Sequence, residues 1–309
     1  MRLRAALFVW ASLALPLGCT ALAGLDDDYV LGEGGQSAGP TSSSTTTGTG
    51  GGSTTTSSST SGSGGAGGGG QDGGTVSGPC EGLPGPTMVD LGAFCMDSTE
   101  VSNAQYLAFL EVGLQPQVFT NDPAYCSFNT SFVPSTWPAP AGHDDHPVMW
   151  VDWCDAHAYC EWAGKRLCSA VDAGGTGPFD GFDNPATSEW MYVCSGSGAQ
   201  AYSFGSSGDG TVCNIAETGI GDTTVVGTMP SCAGVNAPFS QVLDLSGGVH
   251  EWTAECTGYT GADDTCAFRG GSFMHDLNGA RCTVPDAAPR SATWSDGGFR
   301  CCADKLAPD

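Results

Sequence analysis

The sequence predicts an irregular α+β domain, sparse in regular structure and rich in disulfides, carried behind an export signal and a low-complexity tether. Three observations carry that prediction. The chain has 309 residues with 48 Gly and 15 Cys, and its Gly, Ser and Thr crowd into the first quarter. Only two segments bear clear helix-start signals, while strand-like segments run for just a few residues. Fourteen cysteines (15 less Cys19) lie beyond the export signal, an even number placed singly or, at Cys301 and Cys302, side by side. Such usage marks an oxidising compartment, and with no CxxC pair anywhere zinc is a poor competitor for these thiols.

Residues 1–23 read as the export signal. Arg2 and Arg4 give a positive start, and Ala5 to Leu17 an apolar run too short to span a bilayer. Leu17-Gly18-Cys19 has the form of a lipoprotein cleavage site, with Cys19 as the acylated residue, although Pro16 and Leu17 depart from the usual pattern. Ala21-Leu22-Ala23 offers an ordinary small-x-small site instead. The expected location is therefore periplasmic or at the cell surface, anchored through lipid, with secretion as the alternative. Residues 24–78 form the tether. Their Gly/Ser/Thr repeats bury nothing and lose much entropy on ordering; about 45 such residues reach roughly 35–40 Å as a flexible coil. A spacer has a point when its start is anchored, which favours acylation at Cys19.

Residues 79–309 remain for folding. About 230 residues bury roughly 70% of their unfolded surface, enough for a core without a partner. The formal net charge is -24, from 33 acidic and 9 basic residues. That excess repels phosphate backbones and anionic headgroups, which argues against nucleic acid or electrostatic membrane binding and suits cations.

Within this part, Ser102 caps a helix from about Asn103 to Leu110, with Gln105 returning the bond and Val101 stapled to Tyr106. A second helix starts near Asp152, has Asp155 at the matching position, and runs through Ala156, Tyr159 and Trp162 to Gly164, carrying Cys154 and Cys160. Thr223 to Val226, Ala267 to Arg269 and Gly298 to Cys301 are strand-like. The rest is rich in Gly, Pro, Asn and Asp, so disulfides and bound cations are expected to constrain its loops.

The segments Phe94-Cys95-Met96-Asp97, Thr99-Glu100-Val101-Ser102-Asn103-Ala104-Gln105-Tyr106, His146-Pro147-Val148, Trp162-Ala163-Gly164-Lys165-Arg166-Leu167, Ser188-Glu189-Trp190, Cys213-Asn214, Gly247 to Thr253, Arg269-Gly270-Gly271-Ser272-Phe273 and Gly298-Phe299-Arg300-Cys301 stand in that order. Together they resemble the formylglycine-generating enzyme, or sulfatase-modifying factor, domain family over essentially all of 90–304. The resemblance implies a compact irregular fold related to C-type lectin-like domains. It does not settle function, because the family holds copper-dependent oxidases that convert a substrate cysteine to formylglycine, modules fused to other enzymes, and domains without known catalysis.

In the oxidases a Cu(I) ion sits between two thiolates, the first directly after the Gly-Gly-Ser-aromatic-x segment. Here that segment is Gly270 to Met274, the next residue is His275, and no cysteine occurs from Ser272 to Arg281. Matching to the family pairs Cys160 with Cys301 and Cys194 with Cys282, which occupies Cys282 in a disulfide. Cys256–Cys266 is a further expected pair, closing a local loop around Asp263 and Asp264. Copper is therefore not expected. His250 also departs, standing where the family has Trp. His275, His250 and Ser272 are the candidate catalytic residues, read either as an altered metal site with Asp276 as helper or as solvent-exposed loop histidines. Cys168 to Thr187 replaces a short family turn, as a solvated loop or a lid over the groove.

Calcium is expected from the resemblance, at the Asp244 carboxylate, the Gly247 and Val249 carbonyls and the Glu251 carboxylate; the competing reading pairs Glu251 with Arg269 or Arg300. A weaker calcium set is Asn214, the Ile215 carbonyl and Asp222. Three function classes follow: a tethered non-catalytic binding or scaffold domain, which leads, an enzyme of altered metal chemistry, and a formylglycine-type oxidase. The partner expected for the leading class is a surface ligand: sugar, peptide or another surface protein.

Overall fold

Both expected helices form, and for the expected reason. In the computed structural model, which describes residues 80–117, 124–170, 177–284 and 286–305, Ser102 accepts from the Gln105 backbone and Gln105 accepts from the Ser102 backbone. Asp152 and Asp155 do the same at the second helix. Each reciprocal pair satisfies amide groups that a helix start leaves unbonded. The export signal, Cys19 and the tether lie outside the described residues, as do 171–176. No helix among the described residues is long and apolar enough to cross a membrane.

The elements run β1 (Met88–Asp90), β2 (Phe94–Asp97), α1 (Asn103–Glu111), α2 (Trp153–Trp162), β3 (Arg166–Leu167), β4 (Gly177–Pro178), α3 (Glu189–Cys194), β5 (His250–Cys256), β6 (Thr265–Arg269), β7 (Ala287–Pro289), β8 (Gly297–Phe299) and β9 (Cys301–Asp304). They make two small sheets. One is antiparallel in the order β1-β2-β9-β3; the other has the order β4-β5-β6-β7, with β8 pairing parallel to β5.

The segment expected as one strand from Gly298 to Cys301 is two. β8 belongs to the sheet of β5 and β9 to that of β2 and β3, and the chain changes sheets at Arg300. Thr223 to Val226, also expected as strand-like, joins neither sheet. Thr223 Oγ1 lies 2.8 Å from His146 Nδ1 instead, and the Val226 amide donates to the Asp145 carbonyl. Two polar partners from another loop, His146 and Asp145, thus take the place of a strand neighbour.

Adjacent residues on a strand face opposite ways. Cys301 accordingly packs in a core with Tyr106, Phe109, Trp153, Tyr159, Trp252 and Phe299, while Cys302 packs in a second core with Met96, Trp190, Val242 and Leu245. Their disulfides diverge in the same way, Cys160–Cys301 reaching α2 and Cys168–Cys302 reaching the chain after β3. Cys194–Cys282 has its Cα atoms 5.7 Å apart, and Cys256–Cys266 bridges directly opposed residues of β5 and β6. Cys80–Cys95, Cys126–Cys154 and Cys213–Cys232 complete the set, so each of the fourteen cysteines from Cys80 to Cys302 is bonded to another.

Candidate functional site

β5 opens with His250, whose amide donates to the Asp296 carbonyl at 2.8 Å and which lies opposite Gly297 of β8. That parallel register sets Asp296 beside the imidazole. The chain leaves β6 through Gly270 and Gly271, at φ +89° and +69°, and a Cβ on Gly271 would meet the Gly279 carbonyl oxygen at 2.8 Å. Only glycine turns this tightly there. The turn is held by the Phe273 amide donating to Gly248 O and the His275 amide to Ser272 O. Its effect is to bring the His275 ring to 4.4 Å from that of His250, centroid to centroid, at 54°.

Ser272 links the cluster. Its Oγ lies 2.8 Å from His275 Nδ1 and donates to Asp296 Oδ2 at 2.7 Å. Asp296 Oδ2 is 3.9 Å from His250 Nδ1 and 3.7 Å from His275 Nδ1, while Asp286 Oδ2 lies 3.2 Å from His250 Nε2. Phe268, Ala288 and Trp294 complete the walls of a cleft of about 320 Å³. Burial, and then the neighbouring His250, hold the His275 imidazole below the ordinary histidine value. The nearby His250 imidazole holds Asp286 below the usual carboxylate range.

His250 and His275 come together in the fold, but Asp276 is not the carboxylate that joins them. Asp276 accepts from the Gly279 amide and Asn278 Nδ2, closing its own turn. The carboxylates at the cleft are Asp296 and Asp286, which reach it only because β8 lies beside β5 and β7 beside β6. Nor are the two histidines a solvated pair, since the His250 side chain is 6% exposed against 38% for His275. The described part of the 168–187 insertion is no lid on this cleft. β4 pairs with Glu255 and Cys256, at the end of β5 about 16 Å from His250, and Phe182 stacks under Arg269.

The residues assigned to calcium gather around Arg300. Glu251 does not present a free carboxylate. Arg300 donates to both of its oxygens, from Nη2 at 2.7 Å and Nε at 2.8 Å, and Trp190 Nε1 donates to Oε2. The arginine pairing is thus the arrangement the fold adopts. Asp244, at φ +63°, accepts from the Gly227 amide, and burial pushes its carboxyl up to about 6. Glu100, which sequence reasoning left unassigned, lies buried beside it with Oε2 lacking a hydrogen-bond partner; burial and the Asp244 charge raise it well above the usual range. In the weaker set, Asn214 Oδ1 is buried without a partner, but the Ile215 carbonyl accepts from Thr218 and the Asp222 carboxylate accepts from the Thr223 amide. Those two oxygens are already engaged.

Comparison with known proteins identifies the family that these motifs resemble. The sulfatase-modifying factor enzyme 1-like domain matches residues 51–305. Formylglycine-generating enzyme of Bos taurus is 27% identical over 275 residues, covering 71% of this chain and 67% of that protein. Inactive C-alpha-formylglycine-generating enzyme 2 of Bos taurus is 29% identical over 189 residues, covering 53% and 55%. Among solved structures, PvdO from Pseudomonas aeruginosa aligns with a TM-score of 0.47 at 20% identity, over 69% of this chain and 80% of that one. The domain match spans most of the chain and takes in its ordered motifs: the chain belongs to the sulfatase-modifying factor enzyme 1-like family.

Proposed function

We propose that this chain is an exported, surface-tethered binding module that keeps the family fold without its thiolate chemistry. One observation carries the reading. Every cysteine from Cys80 to Cys302 is in a disulfide, and the cleft presents imidazoles and carboxylates where the resemblance places copper thiolates. Oxidation of a cysteine at a Cu(I) dithiolate needs two free soft ligands. The ligand meets the module at this cleft, held clear of the membrane by the Gly/Ser/Thr tether behind Cys19.

A structural calcium ion belongs to the same reading, with a changed ligand set. The buried Glu100 Oε2 without a partner and the raised Asp244 carboxyl fit a hard cation. Glu251 is left to Arg300. The ion would neutralise a carboxylate excess that a single guanidinium does not balance.

Alkylation of the native exported protein tests the module reading. We expect no labelled cysteine before reduction and no oxygen uptake with a cysteine-containing peptide. Two labelled cysteines at the cleft, or turnover of that peptide, would overturn it.

A further inference from the structure

We propose that His250, His275 and Asp296 hold one divalent transition-metal ion of the zinc class, with a coordination position left open to the cleft. This deepens the module reading, for it names what the cleft uses to take its ligand. One ligand atom from each of the three residues lies within 4.8 Å of the other two. In a tetrahedral site with metal–nitrogen and metal–oxygen distances of about 2.0–2.2 Å, neighbouring ligand atoms lie roughly 3.3–3.5 Å apart. The nitrogen-to-carboxylate separations of 3.7 and 3.9 Å therefore need to close by only a few tenths of an ångström.

A second observation is independent of that spacing. His250 is 5% exposed, and the two edges of its buried ring face different carboxylates, Nε2 lying 3.2 Å from Asp286 Oδ2 and Nδ1 3.9 Å from Asp296 Oδ2. A carboxylate at Nε2 holds the ring and leaves Nδ1, on the side of Asp296, as the nitrogen for an ion, the outer-carboxylate arrangement usual for metal-bound histidines.

The ligand set selects the ion. Two imidazoles and one carboxylate suit borderline divalent ions such as Zn²⁺, Co²⁺ or Cu²⁺, and suit neither calcium, which takes six to eight oxygens, nor Cu(I), which takes sulfur. The Ser272 hydroxyl joins His275 Nδ1 to Asp296 Oδ2 and so keeps both at the cleft; on ion binding it yields the nitrogen and keeps its bond to the carboxylate. The only other set of three such ligands among the described residues, Cys168, Glu189 and Cys302, is occupied by the Cys168–Cys302 disulfide. Two apolar walls, Phe268 and Trp294, and a cleft of about 320 Å³ leave room at the open position for an oxygen or nitrogen donor from a ligand.

The test is Zn²⁺ titration by calorimetry of the disulfide-intact exported domain, stripped with EDTA and returned to excess calcium. One equivalent should bind. His275→Ala, which removes a half-exposed ring, and the near-isosteric Asp296→Asn should each weaken it 10- to 100-fold with an unchanged melting temperature in calcium alone. His143→Ala should leave it intact, because the His143 and His146 rings, 4.2 Å apart, are the competing surface pair. Co²⁺ added to the wild-type protein should give the intense visible absorption of a four- or five-coordinate site. Absence of a zinc equivalent, or binding lost in His143→Ala and kept in His275→Ala, sinks the ion while fully oxidised cysteines leave the module reading standing. Labelled cleft cysteines would do the reverse.

Discussion

Lys165 and Asp97 meet at 2.6 Å with neither side chain exposed to solvent. The Cys301 amide donates to the second Asp97 oxygen, and Lys165 also donates to the Pro86 carbonyl, so the pair is nearly saturated with partners. Both residues stand in the motifs that carry the family resemblance, yet nothing in either motif says that they touch across 68 positions. Replacing Asp97 with Ala strands a buried ammonium, and we expect a loss of about 3–5 kcal/mol in denaturant unfolding. The same logic separates the legible from the hidden at the cleft. His250 and His275 stand out because each replaces a residue that the family pattern demands. Asp296 carries no such mark, because its role comes from β8 lying beside β5 and not from its neighbours in sequence.

At the scale of elements, the two helices were readable to within a residue or two because a capping box is local. Its donor, acceptor and reciprocal partner all lie within four consecutive positions. The Gly298 to Cys301 segment was misread as one strand because a change of sheet leaves no local trace; Arg300 breaks it by turning inward to Glu251. Disulfides do for the loops what long helices do elsewhere. Cys160–Cys301 closes 141 residues and ties α2 to β9, whereas Cys256–Cys266 closes only 10 within one hairpin. In the chain-entropy account these closures are worth about 5 and about 3 kcal/mol respectively. Paired Cys→Ala variants should therefore rank in that order in melting temperature, with the Cys160/Cys301 variant the less stable.

For the whole molecule, a net charge of -24 over the chain goes with a folded part that also buries several carboxylates. Burial pushes Asp97 up to about 6 from an ordinary value of 3.8, against the pull of Lys165, and raises Glu189 and Glu255 as well. An acid whose folded value is raised contributes stability that is fully present below its unfolded value and lost as pH rises through the folded one. In EDTA the domain should thus melt at a lower temperature at pH 7.5 than at pH 5, in the same direction as the self-repulsion of its acidic surface. Calcium should recover part of the loss at pH 7.5, since it binds only the folded form. A melting temperature that rises from pH 5 to 7.5 in EDTA, or that ignores calcium, would contradict this account.

By itself the sequence determined the family, the sparse α+β character, both helix starts and the absence of cysteine from the Ser272 to Arg281 window. These follow from short-range bonding and from motifs whose order survives without knowledge of contacts. Only the tertiary structure decided that Glu251 belongs to Arg300, that Glu100 lies buried beside Asp244, and that Asp296 comes to the two histidines. Each of those outcomes depends on which side chain wins a buried partner across tens to hundreds of residues. That competition is settled by packing and desolvation, which act through space and leave no periodic mark along the chain.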